Sequence, residues 1–326
     1  MFVHVDCVQT TACNNFENAR LIPMNMLKPV RFAHTKPYWQ VLILILLPLQ
    51  MLARTPLQAG ESSSSATSSS KHQPDTATPP IFSADFENAS YGIYTKEQLS
   101  LDWNNPSWSD GIEEKRVSVV ATNRGSRALT VTFPAHTYGS EKNGAVWRLK
   151  FDESYPAVEA RFDVMFKKGF GFARGGKLPG LFGGKGNTGG DKPTGKDGFS
   201  ARMMWREDGR VVQYLYYPDQ PDRYGHQIPW IDPTTGKQIK FQPGQWHTVV
   251  HQLAINTPEK NNGTLRAFFD GKVVLDIDDL RFRDTNDFAI DGFLLSTFFG
   301  GGDASWQTTA EEILFFDNFR ISKIPN

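Results

Sequence analysis

The stretch WHTVVHQLAINTPEKNNGTLRAFFDGKVVLD, Trp246–Asp276, decides the class of fold. It opens on a long run of β-branched and apolar residues, passes through a polar loop, and continues into two short runs separated by Asp270-Gly271. An Asp-Gly pair between two such runs is a strong signal for a two-residue hairpin turn. The segment therefore predicts a long strand followed by a β-hairpin.

The same texture of short β-branched and aromatic runs extends over the chain from Ile81 onward, and no long stretch repeats at the helical period. The runs are Arg116–Thr122, Ala128–Phe133, Ala145–Phe151, Val158–Phe166, Phe199–Trp205, Val211–Tyr216, Trp246–Ile255, Thr264–Phe269, Lys272–Ile277, Phe293–Phe298 and Ile313–Ile321. In VEARFDVMF (Val158–Phe166) apolar and polar residues alternate at period two, which is typical of a strand with one buried face.

Many short strands in one domain predict an all-β fold for residues 81–326, either a β-jelly roll or a concanavalin-like two-sheet sandwich. Trp246–Asp276 also resembles a recurring element of concanavalin-like lectin and glucanase sandwiches. That likeness concerns the fold only, because many such sandwiches bind sugar without cleaving it.

The residues before this domain have the layout of an export signal. The apolar run Val41–Leu52 follows a basic flank and precedes small polar residues, and it is shorter than the roughly 20 residues that span a bilayer. We expect residues 1–59 to be an extension with a signal peptide, translation to start at Met24 or Met26, and residues 60–80 to be a Ser/Thr/Pro-rich linker. The protein would be secreted or periplasmic; an uncleaved N-terminal anchor is the alternative.

Composition narrows the function. The chain has 326 residues with 35 basic and 35 acidic side chains, so nothing indicates a nucleic-acid partner or an integral membrane domain beyond that anchor. Its only cysteines, Cys7 and Cys13, precede the domain, which excludes a disulfide scaffold and a thiol nucleophile there. We expect a monomer.

Three segments contain glycines, charged residues or tyrosines that a hydrophobic core does not require. They are Gly169–Gly184, Gly198–Arg206 and Val211–Gln220. The first is so rich in glycine that its backbone must pass close to another group or take positive φ values. Residues Arg161 to Arg210 hold eleven Lys or Arg against five Asp or Glu, within a neutral chain. A local cationic surface suits an anionic substrate, although Lys185, Lys192 and Lys196 fit a merely solvated loop.

These residue types fit β-elimination on a uronate polymer. A cation must neutralise the carboxylate beside the proton that leaves, a base must take that proton, and an acid must protonate the leaving oxygen. We expect Lys177 and Arg202 to supply the cations, with Lys177 the neutraliser. Tyr214 and Tyr216 share a strand face and would be the base and the acid, with pKa values lowered by the neighbouring cations.

The same segments resemble polysaccharide lyase family 14, which includes alginate and glucuronan lyases. The resemblance is carried by GGKLPGLFGG, GFSARMMWR, YLYYPDQ, STFFGG and FDNFR, over Phe82 to Ile321. It implies a β-jelly roll with the cleft across one sheet, Lys177 as the family's lysine, Ser200 and Arg202 as its serine and arginine, and Tyr214 and Tyr216 as its tyrosines. Ser200, Arg174, His136 and His226 are candidates for substrate binding, although each histidine could equally be an ordinary surface or packed residue.

Other functions stay open at this point. A non-catalytic carbohydrate-binding sandwich would not need the Lys, Arg and Tyr set. A glycoside hydrolase would need a pair of carboxylates, and no such pair stands out. No histidine or carboxylate cluster has the spacing of a catalytic metal site and no cofactor is expected, while scattered aspartates leave room for a structural calcium ion.

Overall fold

The computed structural model describes residues 79–324. The predicted signal peptide, both candidate start codons and nearly all of the predicted linker lie outside the described residues.

All but a small part of the regular structure is β-strand. The strands are β1 (Phe82–Ala84), β2 (Gly92–Ile93), β3 (Ser109–Asp110), β4 (Val117–Ala121), β5 (Arg127–Phe133), β6 (Ala145–Tyr155), β7 (Ala157–Phe166), β8 (Gly175–Gly184), β9 (Gly198–Arg206), β10 (Val211–Tyr216), β11 (His226–Pro229), β12 (Trp246–Ala254), β13 (Gly263–Phe269), β14 (Lys272–Leu280), β15 (Ile290–Thr297) and β16 (Glu312–Lys323). One α-helix, α1 (Lys96–Asp102), and two 3₁₀ turns, Glu207–Gly209 and Ala304–Trp306, complete the described part.

The strands form two antiparallel sheets. One has nine strands in the order β14-β13-β12-β7-β16-β5-β4-β2, with β1 paired to β16, and the other has seven in the order β11-β10-β9-β8-β15-β6-β3. The predicted all-β jelly roll is confirmed. The segment that predicted it becomes β12 followed by the hairpin β13–β14, whose turn residues Asp270 and Gly271 both have positive φ, as a type I′ turn requires.

Period-two alternation builds the core between the sheets. The apolar face of β7 is fully buried at Val158, Ala160, Phe162, Val164 and Phe166. Its polar face behaves as expected except at Asp163, which is buried because Arg124, Thr248 and Asn318 all bond to its carboxylate.

The strand β9 is buried on both faces. Phe199, Ala201, Met203 and Trp205 belong to the core between the sheets, whereas Ser200, Arg202 and Met204 lie on the outer face of the seven-stranded sheet. Polar and charged side chains on that outer face are thus covered by other residues. Their burial indicates a candidate functional site on this face.

No helix within residues 79–324 is long and apolar enough to cross a membrane. In the same range, no three His, Cys, Asp or Glu side chains converge in a way that could hold a metal ion.

Candidate active site

A cleft of about 680 Å³ crosses the outer face of the seven-stranded sheet. Strands β6, β8, β9, β10, β11 and β15 all contribute to its floor. Its walls come from the loop before β3, the loop between β8 and β9, and the loop between β15 and β16. The lining side chains include Arg148, Lys177, Arg202, Met204, Arg206, Tyr214, Tyr216, Gln227, Ser296, Asp303 and Trp306.

Strand register brings the four predicted catalytic residues together. Lys177 on β8 pairs with Met204 on β9, and on the other side of β9 Arg202 pairs with Tyr214 and Ser200 with Tyr216. The alternation that places Arg202 on the cleft face also places Trp205 on the opposite face, where it packs in the core.

The glycine density of β8 is explained by close packing within the protein. A Cβ at Gly176 would lie 2.1 Å from the Trp205 ring, and one at Gly180 would lie 2.0 Å from the Ala201 carbonyl oxygen. The register shifts between Leu178 and Gly180, a bulge that accommodates Pro179 inside a central strand. These glycines let β8 lie close enough to its neighbours to present Lys177 to the cleft.

Lys177 is a buried cation that has no carboxylate partner in the part of the chain that the structure describes. Only 9% of the residue is exposed. Its Nζ lies 3.1 Å from the Met204 sulfur and 4.0 Å from the centre of the Tyr214 ring. Burial, and after it the charges of Arg202 and Arg206, hold the pKa of Lys177 well below its usual value. This amine loses its proton more readily than that of an ordinary lysine. It is therefore less suited to be a permanent positive charge than the sequence alone suggested.

Arg202 is the deepest charge in the cleft, with 3% of the residue exposed. Its Nη1 donates to Ser296 Oγ at 3.2 Å, and its Nε is buried without an acceptor among the described residues. The guanidinium carbon lies 5.6 Å from the Tyr214 ring centre and 6.0 Å from that of Tyr216. Burial lowers its pKa, but a guanidinium stays protonated near neutral pH.

The two phenols meet above Arg202. The Tyr214 and Tyr216 hydroxyl oxygens are 3.5 Å apart, and the Gly190 N–H donates to the Tyr216 oxygen at 3.0 Å. Burial raises the pKa of Tyr214, and Arg202 only partly offsets it. The expectation that neighbouring cations would lower this pKa is therefore wrong for Tyr214, because desolvation outweighs the attraction. Tyr214 keeps its proton and is suited to act as an acid.

Ser200 is placed differently from the expectation of a substrate contact. It is fully buried, and its hydroxyl donates to the Asn187 carbonyl oxygen at 2.7 Å. That bond fixes the loop whose Gly190 N–H reaches Tyr216. Ser200 is therefore committed to holding the cleft wall.

The two candidate histidines do not line the cleft. His136 is exposed in the loop after β5. His226 pairs with Leu215, whose side chain faces the core, and its Nδ1 lies 3.1 Å from the Tyr217 hydroxyl. The neighbour of His226, Gln227, pairs with Tyr214 and lines the cleft instead. The structure thus gives no support to substrate binding by either histidine.

Arg174 lies at the rim. It is exposed, its guanidinium carbon is 4.9 Å from the Trp306 ring centre, and it donates to Ser305 Oγ. Trp306, Arg148, Arg206 and Gln227 are cleft residues that the sequence reasoning missed. Alternation along β6 and β9 could have found Arg148 and Arg206, whereas nothing local marks Trp306 or Gln227.

The electrostatics of the cleft are one-sided. Arg148, Lys177, Arg202 and Arg206 line it, and Asp303 carries the only carboxylate among its described residues. Within residues 79–324 none of the four cations forms a salt bridge. Buried cations without partners are costly unless an anion binds to them.

A long cationic cleft on a jelly roll, with phenols at its centre and no pair of carboxylates among its described residues, does not suit hydrolysis by two acids. It defines the class of polysaccharide lyases, which cleave acidic polymers by elimination.

Comparison with known proteins specifies the family. The family model Polysaccharide lyase 14 matches residues 121–319. The chain belongs to polysaccharide lyase family 14, and it is a lyase that acts on uronate polymers. The sequence-based identification of the family and of the activity is thereby confirmed.

Similar solved structures agree with this family assignment. The alginate lyase Aly36B is 27% identical with a TM-score of 0.65, over 76% of this chain and 98% of that one. The marine family 14 alginate lyase from Aplysia kurodai is 26% identical with a TM-score of 0.63, over 76% of this chain and 100% of that one. The Chlorella virus alginate lyase vAL-1, at 24% identity, TM-score 0.58 and coverage of 72% and 98%, supports the fold. No curated protein sequence matches the chain.

Proposed function

We propose that the protein is an alginate lyase, which cuts polymannuronate-containing chains and leaves an unsaturated uronate at each new end. Two similar structures are alginate lyases. A variant of Aly36B with a lysine and a tyrosine replaced by alanine was solved with an alginate tetrasaccharide, and it is 26% identical to this chain. Glucuronan is the alternative polymer that the sequence left open.

Arg202 is the group that neutralises the substrate carboxylate. Its guanidinium remains charged, offers planar paired donors to a carboxylate, and has a buried Nε without an acceptor among residues 79–324. Charge that develops on the carboxylate as the α-proton leaves is stabilised most strongly by such a preorganised donor in a site with little water.

Lys177 takes the proton. The sequence alone predicts that Lys177 is the neutraliser, but its lowered pKa makes the neutral amine accessible. The electron pair of the broken C–H bond forms the double bond between the α and β carbons, and the bond from the β carbon to the glycosidic oxygen breaks.

Tyr214 then donates its phenolic proton to the departing oxygen. Its raised pKa keeps that proton in place until the oxygen becomes basic, and Lys177 lies directly over the Tyr214 ring. Transfer of a proton from the Lys177 ammonium to the Tyr214 phenolate afterwards restores the starting state, so the cycle consumes no water. Tyr216, which accepts from the Gly190 N–H, positions Tyr214 through its hydroxyl.

The observation that carries this proposal is the pair of buried cations, Lys177 and Arg202, which have no carboxylate partner in the described part of the chain but lie beside a phenol. The test is to incubate the purified protein with polymannuronate, polyguluronate, polyglucuronate and polygalacturonate and to follow ultraviolet absorbance. We expect absorbance from unsaturated ends on polymannuronate first. Absorbance on polyglucuronate alone would overturn the alginate assignment and leave the lyase assignment intact.

We also propose that the protein is exported and acts as a monomer. The support for export is the apolar run Val41–Leu52 with its basic flank. We expect N-terminal sequencing of the secreted protein to begin between Ala53 and Ser65 and light scattering to give the mass of one chain. A soluble cytoplasmic protein that still begins at Met1 would contradict export.

A further inference from the structure

We propose that Arg206, supported by Trp306 and Arg174, forms a second carboxylate-binding subsite in the cleft, which holds a uronate residue other than the one being cleaved. The proposal rests on the proposed function, because it assumes a polymer with a carboxylate on every sugar. It assigns a role to three residues that the elimination chemistry does not use.

The position of Arg206 separates it from the catalytic centre. Arg202 and Arg206 lie four residues apart on β9 and face the same cleft, with Met204 between them. At about 3.3 Å per residue, their Cα atoms are roughly 13 Å apart. One carboxylate bound in the usual paired manner by Arg202 does not extend that far, so Arg206 is available to a different carboxylate of the same chain.

Arg206 forms no salt bridge with any residue in the described range 79–324. Its Nη1 is buried without an acceptor among the described residues. The carboxylate of Glu207, the next residue, lies 3.4 Å from Arg210 Nη2 instead. Asp303, the only carboxylate among the described cleft residues, accepts from the backbone N–H and the hydroxyl of Ser305. A half-buried guanidinium left in this state is best explained by an anionic ligand from outside.

The indole of Trp306 fixes the direction of the guanidiniums. The Arg206 and Arg174 guanidinium carbons lie 5.0 and 4.9 Å from its ring centre. The ring packs so closely on the preceding loop that a Cβ at Gly301 would lie 2.0 Å from the indole nitrogen. Arg174 is tied to the same loop through Ser305. Stacking on an aromatic face leaves the N–H edge of a guanidinium free to bind a carboxylate.

The test is binding of mannuronate oligomers of increasing length to the Lys177→Met variant, measured by calorimetry at several salt concentrations. The comparison is between Arg206→Gln and Arg210→Gln in that background; Arg210 is a partly exposed arginine outside the cleft. We expect Arg206→Gln to weaken binding of the longer oligomers about 10-fold or more, the scale of a charged hydrogen bond. We also expect it to lower the dependence of binding on salt by about one ion contact, and Arg210→Gln to have little effect.

Unchanged binding by Arg206→Gln at every length would overturn the subsite, and so would an equal loss in Arg210→Gln, which would indicate general charge attraction. A loss that appears only beyond a minimum oligomer length supports it. If the Lys177→Met parent binds none of the oligomers while wild type shows no eliminative cleavage, the proposed function has failed, a result distinct from failure of the subsite alone.

Discussion

At the scale of single residues, the proposed elimination requires Lys177 to act as a base. An arginine at this position keeps the positive charge but does not release its proton near neutral pH. We therefore expect Lys177→Arg to lose about 10²-fold or more in kcat, as much as Lys177→Met, because the charge alone does not replace a base. Initial rates of ultraviolet absorbance measure this, with melting temperature as the control for folding.

The role of Lys177 as a base also predicts the direction in which the rate changes with pH. A base must be unprotonated, so the wild-type rate should rise with pH through the pKa of Lys177, which lies below its usual 10.5. If the kcat of Lys177→Arg is within about tenfold of the wild-type value, Lys177 is the neutraliser and not the base. Tyr216 would then be the candidate base.

Tyr214 is tested by removal of one oxygen. Tyr214→Phe keeps the ring beneath Lys177 and loses only the hydroxyl, so it should melt within a few degrees of wild type and lose about 10²-fold or more in kcat. Tyr217→Phe is the matched control, because its hydroxyl bonds to His226 and the residue does not line the cleft. Full activity in Tyr214→Phe would exclude it as the acid and turn attention to Tyr216.

The candidate site was predictable to the extent that it depends on alternation within a strand. Arg202, Tyr214 and Tyr216 follow from period two, and Lys177 from its place among glycines. The burial of Ser200 depends on the path of a separate loop, and the raised pKa of Tyr214 depends on how deeply the cleft is covered. No local sequence pattern predicts the burial of Ser200 or the pKa of Tyr214.

At the scale of elements, β8 shows how the sequence was both informative and misleading. Eleven runs identified from β-branched and aromatic residues are strands in the structure. The strand β8 was identified only as a glycine-rich backbone, because its glycines and Pro179 are the residues least typical of a strand interior. The helix α1 was also missed, although Thr95 and Gln98 form a capping box that the sequence contains.

A methyl group at Gly176 tests the close approach of β8 to the core. The new Cβ would lie 2.1 Å from the Trp205 ring, so Gly176→Ala should cost about 1–3 kcal/mol of unfolding free energy. Gly302→Ala is the control, because no atom of residues 79–324 beyond its chain neighbours lies within 4 Å of its Cβ position. The denaturant midpoints of the two variants are compared. Equal midpoints would show that there is space for a methyl group between β8 and the Trp205 ring, which contradicts the close packing.

At the scale of the whole molecule, the two sheets have different tasks. The seven-stranded sheet carries the cleft, while the nine-stranded sheet contains the buried carboxylates Asp163 and Asp317, which face each other in register between β7 and β16. The pairing of β7 with β16 that brings them together joins residues about 150 apart in sequence, as the bond from Asn318 to Asp163 also does. Such long-range pairings have no signature in any short segment.

The buried carboxylate of Asp317 links this arrangement to pH. Burial, with a smaller contribution from Asp163, raises its pKa to about 6 from 3.8. The folded state then holds a proton that the unfolded state releases, so this group makes the protein less stable as pH rises from about 3.8 to about 6. Asp317→Asn should raise the free energy of unfolding at neutral pH by on the order of 3 kcal/mol and change little at pH below 3.8. Equal stability of the two proteins at neutral pH would contradict the shift.

The central claim is that the cationic cleft breaks a uronate polymer by elimination, with no water consumed. The most direct measurement is mass spectrometry of the products formed from polymannuronate in heavy-oxygen water. We predict that each cleavage gives one end lighter by a molecule of water than a hydrolysis product and that no heavy oxygen is incorporated by the cleavage itself. Two new ends at each cut bond of which neither is lighter by a molecule of water would show hydrolysis and contradict the mechanism built on Lys177, Arg202 and Tyr214.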